Sequence, residues 1–140
     1  MIEDLVSSPM LERALSFTEQ RHQVILANIA NASTPGYVQQ DVPVAKFQKA
    51  MQDALDRQRQ SSDGAFEPES NDVLQFVPGS STVQITPQPS TMAMAFHDRG
   101  VRSTESLMGD LADNAMAHNL VAQLLKIAYD GTSKAISMKS

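Results

Sequence analysis

Asn28-Ile29-Ala30-Asn31-Ala32-Ser33-Thr34-Pro35-Gly36-Tyr37 decides how the rest of the chain is read. A long amphipathic pattern runs up to it and breaks there. Pro35 has no amide hydrogen and pushes Thr34 out of the helical region, so a helix must end a few residues earlier. Thr34-Pro35-Gly36-Tyr37 places Pro and Gly at the two central positions of a type II turn, with Gly supplying the positive φ. Asn28 and Asn31 stand three apart on one helix face, and Asn31 is placed to cap the last carbonyls or adopt the left-handed form.

Working back from the turn, Ser8 reads as an N-cap and Pro9 as the first helical residue, giving a helix over Pro9–Asn31. Leu11, Leu15, Thr18, His22, Ile25 and Ile29 fall at spacings of 4, 3, 4, 3 and 4. That is a heptad seam, widened by Ala14, Phe17, Val24 and Leu26. The pattern alone describes an ordinary buried helix face equally well. Thr18 and His22 interrupt it with polar groups, which cost stability unless partnered and help fix register.

Working forward, Val44 to Arg59 carries a shorter helical pattern in which Phe47, Met51 and Leu55 repeat every four residues. From Gln60 to Ser103 the composition changes, with four of the seven prolines (Pro68, Pro78, Pro87 and Pro89) and several Ser and Gly. Val73–Val77 and Thr82–Thr86 are β-like runs separated by Pro78-Gly79-Ser80-Ser81. They have the spacing of a hairpin, but an isolated hairpin is marginal in water. The expectation is a mobile arm that orders only against a neighbour, with Met92, Met94 and Phe96 as a third extended piece. Ser103 or Thr104 then caps the longest helix, Glu105 to Met138. Leu107, Leu111, Asn114, His118, Val121, Leu125, Ala128 and Thr132 step 4, 3, 4, 3, 4, 3, 4. A second stripe runs through Ala117, Val121, Leu124, Ala128, Ala135 and Met138, and Gly131 weakens the helix by about 1 kcal/mol relative to Ala.

The expected fold is mainly α, with long N- and C-terminal helices pairing as a coiled-coil-like bundle around a mostly extended or disordered insert. Residues 1–59 form the N-terminal segment, 60–103 the insert and 104–140 the C-terminal helix of one elongated subunit. At about 1.5 Å per residue the terminal helices would be about 34 and 50 Å long. Burying Leu11, Leu15, Ile25 and Ile29 yields about 6–12 kcal/mol, while ordering helix backbone costs about 1–2 kcal/mol per residue before hydrogen bonds are counted. A lone pair of helices is marginal, so neighbours are expected to supply the rest.

Several function classes find no support. The formal net charge is −5 with no basic stripe, so nucleic-acid binding is not expected. Cysteine is absent, which removes disulfides and thiolate metal sites. No apolar run approaches the ~18 residues of a membrane span. The start, Met1-Ile2-Glu3-Asp4-Leu5-Val6, is acidic and lacks the basic region of a cleavable secretory signal, so any exit from the cytosol uses another route. There is no G-x-S-x-G, no H-E-x-x-H and no phosphate-binding glycine loop. His22 and His118 would approach each other if the terminal helices pair, but they lack carboxylates at ligand spacing. No enzyme activity, cofactor, metal or small-molecule substrate is expected.

N-I-A-N-x-x-T-P-G-Y at the close of an N-terminal helix resembles the signature of the bacterial flagellar rod and hook axial proteins. Ala14-Leu15, Arg21 to Ala27 and Asp41-Val42 narrow the resemblance to the proximal rod subunit of the FlgB type. It continues in Asp98-x-x-Val101, Leu111-Ala112-Asp113-Asn114 and Lys134-Ala135-Ile136. The chain departs from the pattern at His118, where the family tends to have Tyr, and before Glu105, where basic residues replace an acidic run. The resemblance implies a structural subunit of the basal-body rod, sent out by the flagellar type III apparatus without a cleaved signal. Its implied partners are its own copies, other rod subunits, the rod-to-ring adaptor, the membrane-ring protein and the export gate. Asn28, Asn31, Thr34, Pro35, Gly36 and Tyr37 would be the signature turn. Phe47 and Met51 fit the F-x-x-x-apolar element read by the gate. The assembly seams would be Leu11, Leu15, His22, Ile25 and Ile29 with Leu107, Leu111, His118, Val121 and Leu125. The alternatives are the neighbouring proximal rod protein of the FlgC type, against which Arg21-His22-Gln23-Val24 and Asp41-Val42 argue, and a soluble helical adaptor or chaperone.

Overall fold

The structure, a computed structural model, describes residues 8–90 and 101–139, with backbone only at 101–103, 132, 133, 135 and 139. The proposed third extended piece at Met92–Phe96 lies outside the described residues. The chain is mainly helical, with a few short strands. Helix α1 spans Ser8–Ala30, α2 spans Val44–Gln60 and α3 spans Val101–Lys139. Between them lie the strands β1 (Gln40–Asp41), β2 (Leu74–Phe76), β3 (Val83–Ile85) and β4 (Gln88–Pro89).

The core forms where one face of α1 meets α2 and the hairpin. Phe17, Val42, Phe47, Ala50, Met51, Val73, Leu74, Phe76 and Val83 make one buried cluster, flanked by Met10, Ala14, Val24, Phe66 and Ile85. Phe17 stacks on Phe47 with ring centroids 4.3 Å apart and planes 10° from parallel, a near-parallel contact worth about 0.5–1.5 kcal/mol beyond its buried area. Phe47, Ala50 and Met51 supply the α2 half of this core, while Leu55, the third member of the four-residue repeat, is half-buried outside it. The principal apolar cluster therefore does not lie in the seam between the terminal helices. It lies on the other side of α1.

The insert likewise departs from the expected free arm. Strands β2 and β3 pair antiparallel, with Gln75 opposite Gln84, across a type II turn in which Ser80 N–H donates to Val77 O at 3.1 Å and Gly79 has φ +80°. The alternation of β2 turns Leu74 and Phe76 inward and Gln75 outward. Burying Val73, Leu74 and Val83 against α1 and α2 contributes about 1.5–3 kcal/mol for each side chain. That is enough to order a hairpin that is marginal alone. Strand β4 returns to pair with β1, with Gln40 opposite Pro89, and Ser90 N–H donates to Gln39 O at 2.8 Å.

Both outer edges of the hairpin are closed by side chains. On β3, Ser16 Oγ accepts from Val83 N–H at 3.2 Å and donates to Val83 O at 3.3 Å. Gln20 accepts from Ile85 N–H at 3.3 Å, and its Nε2 donates to Val83 O. On β2, Asn71 Oδ1 accepts from Val73 and Leu74 N–H, each at 2.9 Å, and Ser70 Oγ accepts from Phe76 N–H at 2.9 Å. Arg13 clamps the turn end by donating to Ser80 O at 2.8 Å while lying over the Phe66 ring at 5.6 Å.

Removing one of these closures tests their worth. Gln20→Ala leaves Ile85 N–H without a partner and is expected to lower the unfolding free energy by about 1–3 kcal/mol. Gln23→Ala, at an exposed position of the same helix, is expected to change it by less than about 0.5 kcal/mol. Urea denaturation measures both, and equal midpoints would show that Gln20 contributes nothing to holding the strand.

Candidate functional site

The turn after α1 is held by its own polar residues. Helix α1 stops at Ala30, one residue short of the expected end. Asn31 Nδ2 donates to Ala27 O at 2.8 Å, so Asn31 caps a terminal carbonyl. Thr34 Oγ1 donates to Asn31 Oδ1 at 3.2 Å, and Tyr37 N–H closes the turn on Thr34 O at 3.3 Å. With Pro35 fixing the preceding φ, Gly36 at φ +79° makes this a type II turn.

Asn28 does something different from Asn31. It is 3% exposed and faces β1, where its amide stands in for a missing strand. Its Nδ2 donates to Gln40 O at 2.7 Å and its Oδ1 accepts from Gln40 N–H at 3.0 Å. The Tyr37 hydroxyl donates to the same Oδ1 at 3.2 Å. One buried amide thus satisfies a strand edge and anchors the tyrosine that follows the turn. Pro35 and Gly36 are exposed and serve the backbone path.

Phe47 and Met51, the residues of the F-x-x-x-apolar element, are both buried in the core. The folded chain presents neither to a partner, and only an unfolded chain offers them for recognition.

The seam residues divide between buried and half-buried. On α1, Leu11, Thr18 and Ile25 are buried, and Leu15, His22 and Ile29 half-buried. On α3, Leu107, Asn114 and Leu125 are buried, and Leu111, His118, Val121 and Ala128 half-buried. The helices run antiparallel, as Glu12 meets Tyr129 and Thr18 meets His118. Asn114 Nδ2 donates to Thr18 O at 2.8 Å, in a buried contact. Thr18 Oγ1 gives its proton to Leu15 O at 3.0 Å, so His118 Nδ1, 2.9 Å away, is the donor to it. The ring nitrogen of His118 is therefore committed to Thr18, one turn from His22, rather than to a histidine pair. Arg21 completes this polar layer poorly. Its Nη1 is 3.5 Å from Asn114 Oδ1 and its buried Nε has no partner.

Asp110 lies near Arg21. Loss of solvation pushes its carboxyl above the ordinary value, Arg21 opposes this, and Asp41 and Asp113 add to it. Tyr129 is held above its ordinary value by its hydrogen bond to Glu12.

Among the described residues no group of three or more His, Asp or Glu is placed to hold a metal, and no helix is long and apolar enough to cross a membrane. An open cleft of about 970 Å³ lies between the start of α1, the 60–69 loop and the hairpin turn. Its walls mix Arg13 and Arg57 with Glu12, Asp63, Glu67 and Glu69. Sequence reading missed Ser16 and Gln20, whose only signal is an i, i+4 polar pair beside Phe17 on an otherwise apolar face. It also missed an outer apolar stripe on α3, Met116, Leu120 and Ile127, which are 71%, 57% and 66% exposed.

No protein-family model, characterised protein or solved structure matches the chain.

Three substitutions examine the site. Asn28→Leu strands Gln40 N–H and C=O beside an apolar group and is expected to cost about 1–3 kcal/mol for each unpaired group, whereas Asn31→Ala, an end cap, costs about 1 kcal/mol; thermal melts separate them. Asp110 has a folded-state pKa above its unfolded one, so its native form holds the extra proton and stability falls as pH rises through that window. Asp110→Asn is expected to match the parent in strong acid, where the carboxyl is protonated in folded and unfolded chains alike, and to exceed it at neutral pH. Denaturation midpoints across that range check the sign.

Proposed function

We propose that this chain is a structural subunit of the bacterial flagellar basal-body rod, of the proximal FlgB type. The observation that carries the reading is N-I-A-N-x-x-T-P-G-Y at the close of α1. Asn28, Asn31, Thr34 and Tyr37 of that motif each have a specific hydrogen-bonded role, and Gly36 has the positive φ the turn requires. Helix ends fixed this firmly suit a part whose helices must meet neighbours at a defined angle. The terminal helices would extend their contact into a coiled-coil-like bundle in the rod, with the seam residues of α1 and α3 continuing into adjacent subunits. A heterologous contact that does not close on itself generates a helical tube. The apolar outer stripe of α3 supports the need for further partners, since large exposed apolar patches mark interaction surfaces.

Export through the flagellar type III apparatus, without cleavage, would precede folding. Phe47 and Met51 are then available to the gate in the unfolded chain and become core afterwards. The partners in this reading are other copies and related rod subunits, the rod-to-ring adaptor and the membrane ring, on the periplasmic side. No catalysis, cofactor or nucleic acid enters it.

The ordered core of α1, α2 and the hairpin favours a second reading, a self-contained helical adaptor or chaperone. The two part in a flagellated host. The chain is expected in purified basal bodies, and deleting it is expected to abolish motility. Gly36→Val is expected to leave expression intact and block assembly, because a β-branched residue resists positive φ. A fixed cytosolic oligomer in a deletion-tolerant, motile strain would overturn the rod reading in favour of the adaptor.

A further inference from the structure

We infer that the outer face of α3 is a self-complementary dimer surface, on which the α3 of a second copy lies antiparallel about a two-fold axis between Gln123 and Leu124. The inference does not rest on the flagellar reading. A two-fold contact closes on itself, whereas a tube needs one that does not.

Helix α3 buries Leu107, Asn114 and Leu125 on one side. The 3.6-residue turn puts Met116, Leu120, Ile127 and Met138 on the far side, within about 40° of one another around the axis. All four are more than half exposed. Gly109 and Gly131 lie on the same stripe and are exposed. Neither has the positive φ that calls for glycine, and among the described residues a Cβ at either would meet nothing. Glycine inside a helix is unfavourable relative to alanine, so no contact within the described chain accounts for the two. On a helix surface, glycine leaves a gap into which another element can fit closely.

The order of residues along the stripe identifies the occupant. Laid antiparallel, with Gln123 of one copy opposite Leu124 of the other, the stripe meets its own complement. Met116 then faces Gly131, Met138 faces Gly109, Leu120 faces Ile127 and Asp113 faces Lys134. Each pairing occurs twice, as two-fold symmetry requires. Large side chains enter the gaps that glycine leaves, and the acid of the stripe meets its base. Asp110, Lys126 and Asp130 face Ser137, Val121 and Ala117, so no like charges oppose. A slip of four residues either way sets Asp113 against Asp130 or Met138, and a parallel in-register pair sets it against itself. A surface shaped for an unrelated partner has no reason to match its own reversal along its whole length.

Sedimentation equilibrium of the full chain tests this through charge reversal. Within one chain Asp113 and Lys134 are about 32 Å apart along the helix, so they can pair only across two copies. The unaltered chain is expected to dimerise at micromolar concentration. Asp113→Lys and Lys134→Asp, both at exposed positions, are each expected to weaken the dimer by about tenfold or more, since two attractions become two repulsions. Mixed in equal amounts, the two variants are expected to recover dimers of unlike chains, because each supplies the charge that the other lacks. A monomeric unaltered chain, a dimer indifferent to both reversals, or variants that mixing does not rescue would overturn the inference.

Discussion

A strand at the edge of a sheet leaves every second N–H and C=O without a partner, and a two-stranded hairpin consists of nothing but edges. The rest of this fold depends on how α1 meets that requirement. Ser16 and Gln20 take the outer edge of β3, and Asn28, further along α1, takes the outer edge of β1. Each uses a side-chain hydroxyl or amide in place of a neighbouring strand. Because these groups project from one rigid helix at fixed intervals, they set the positions of both strand pairs relative to α1. The aromatic stack of Phe17 on Phe47 then brings in α2.

The helices were legible in the sequence because their apolar periodicity and end signals agree. The expected bounds of α1 and α2 fall within one residue of those found. The turn was legible for a similar reason, since Pro35 and Gly36 restrict backbone angles whatever surrounds them. The hairpin's order was not. Its strands are three residues each, and their stability comes from α1 side chains more than sixty positions away. Local pattern carries no trace of such a contact. Asn28 was assigned to the helix end with Asn31 because both are asparagines three apart, yet one faces solvent and the other a strand. The sequence shows the pair and tertiary packing separates their roles.

The same division explains the candidate site. Heptad spacing picked out positions on α1 and α3 that are buried or half-buried, but spacing cannot rank two faces of one helix. The face with Phe17 holds the principal core, whereas the face with Thr18 and His22 holds a polar layer. Phe47 and Met51 matched a short linear element, and their burial means that any reader of that element must meet the chain before it folds.

Closing the outer edges of β1, β2 and β3 with side chains also governs how this chain behaves when crowded. Open edges template the addition of foreign strands, the step from which cross-β aggregates grow. Here β2 is closed by Ser70 and Asn71, β3 by Ser16 and Gln20, and β1 by Asn28. Strand β4 ends in Pro89, which has no N–H to offer. A high local concentration therefore meets a β region with few backbone groups left to recruit more of itself.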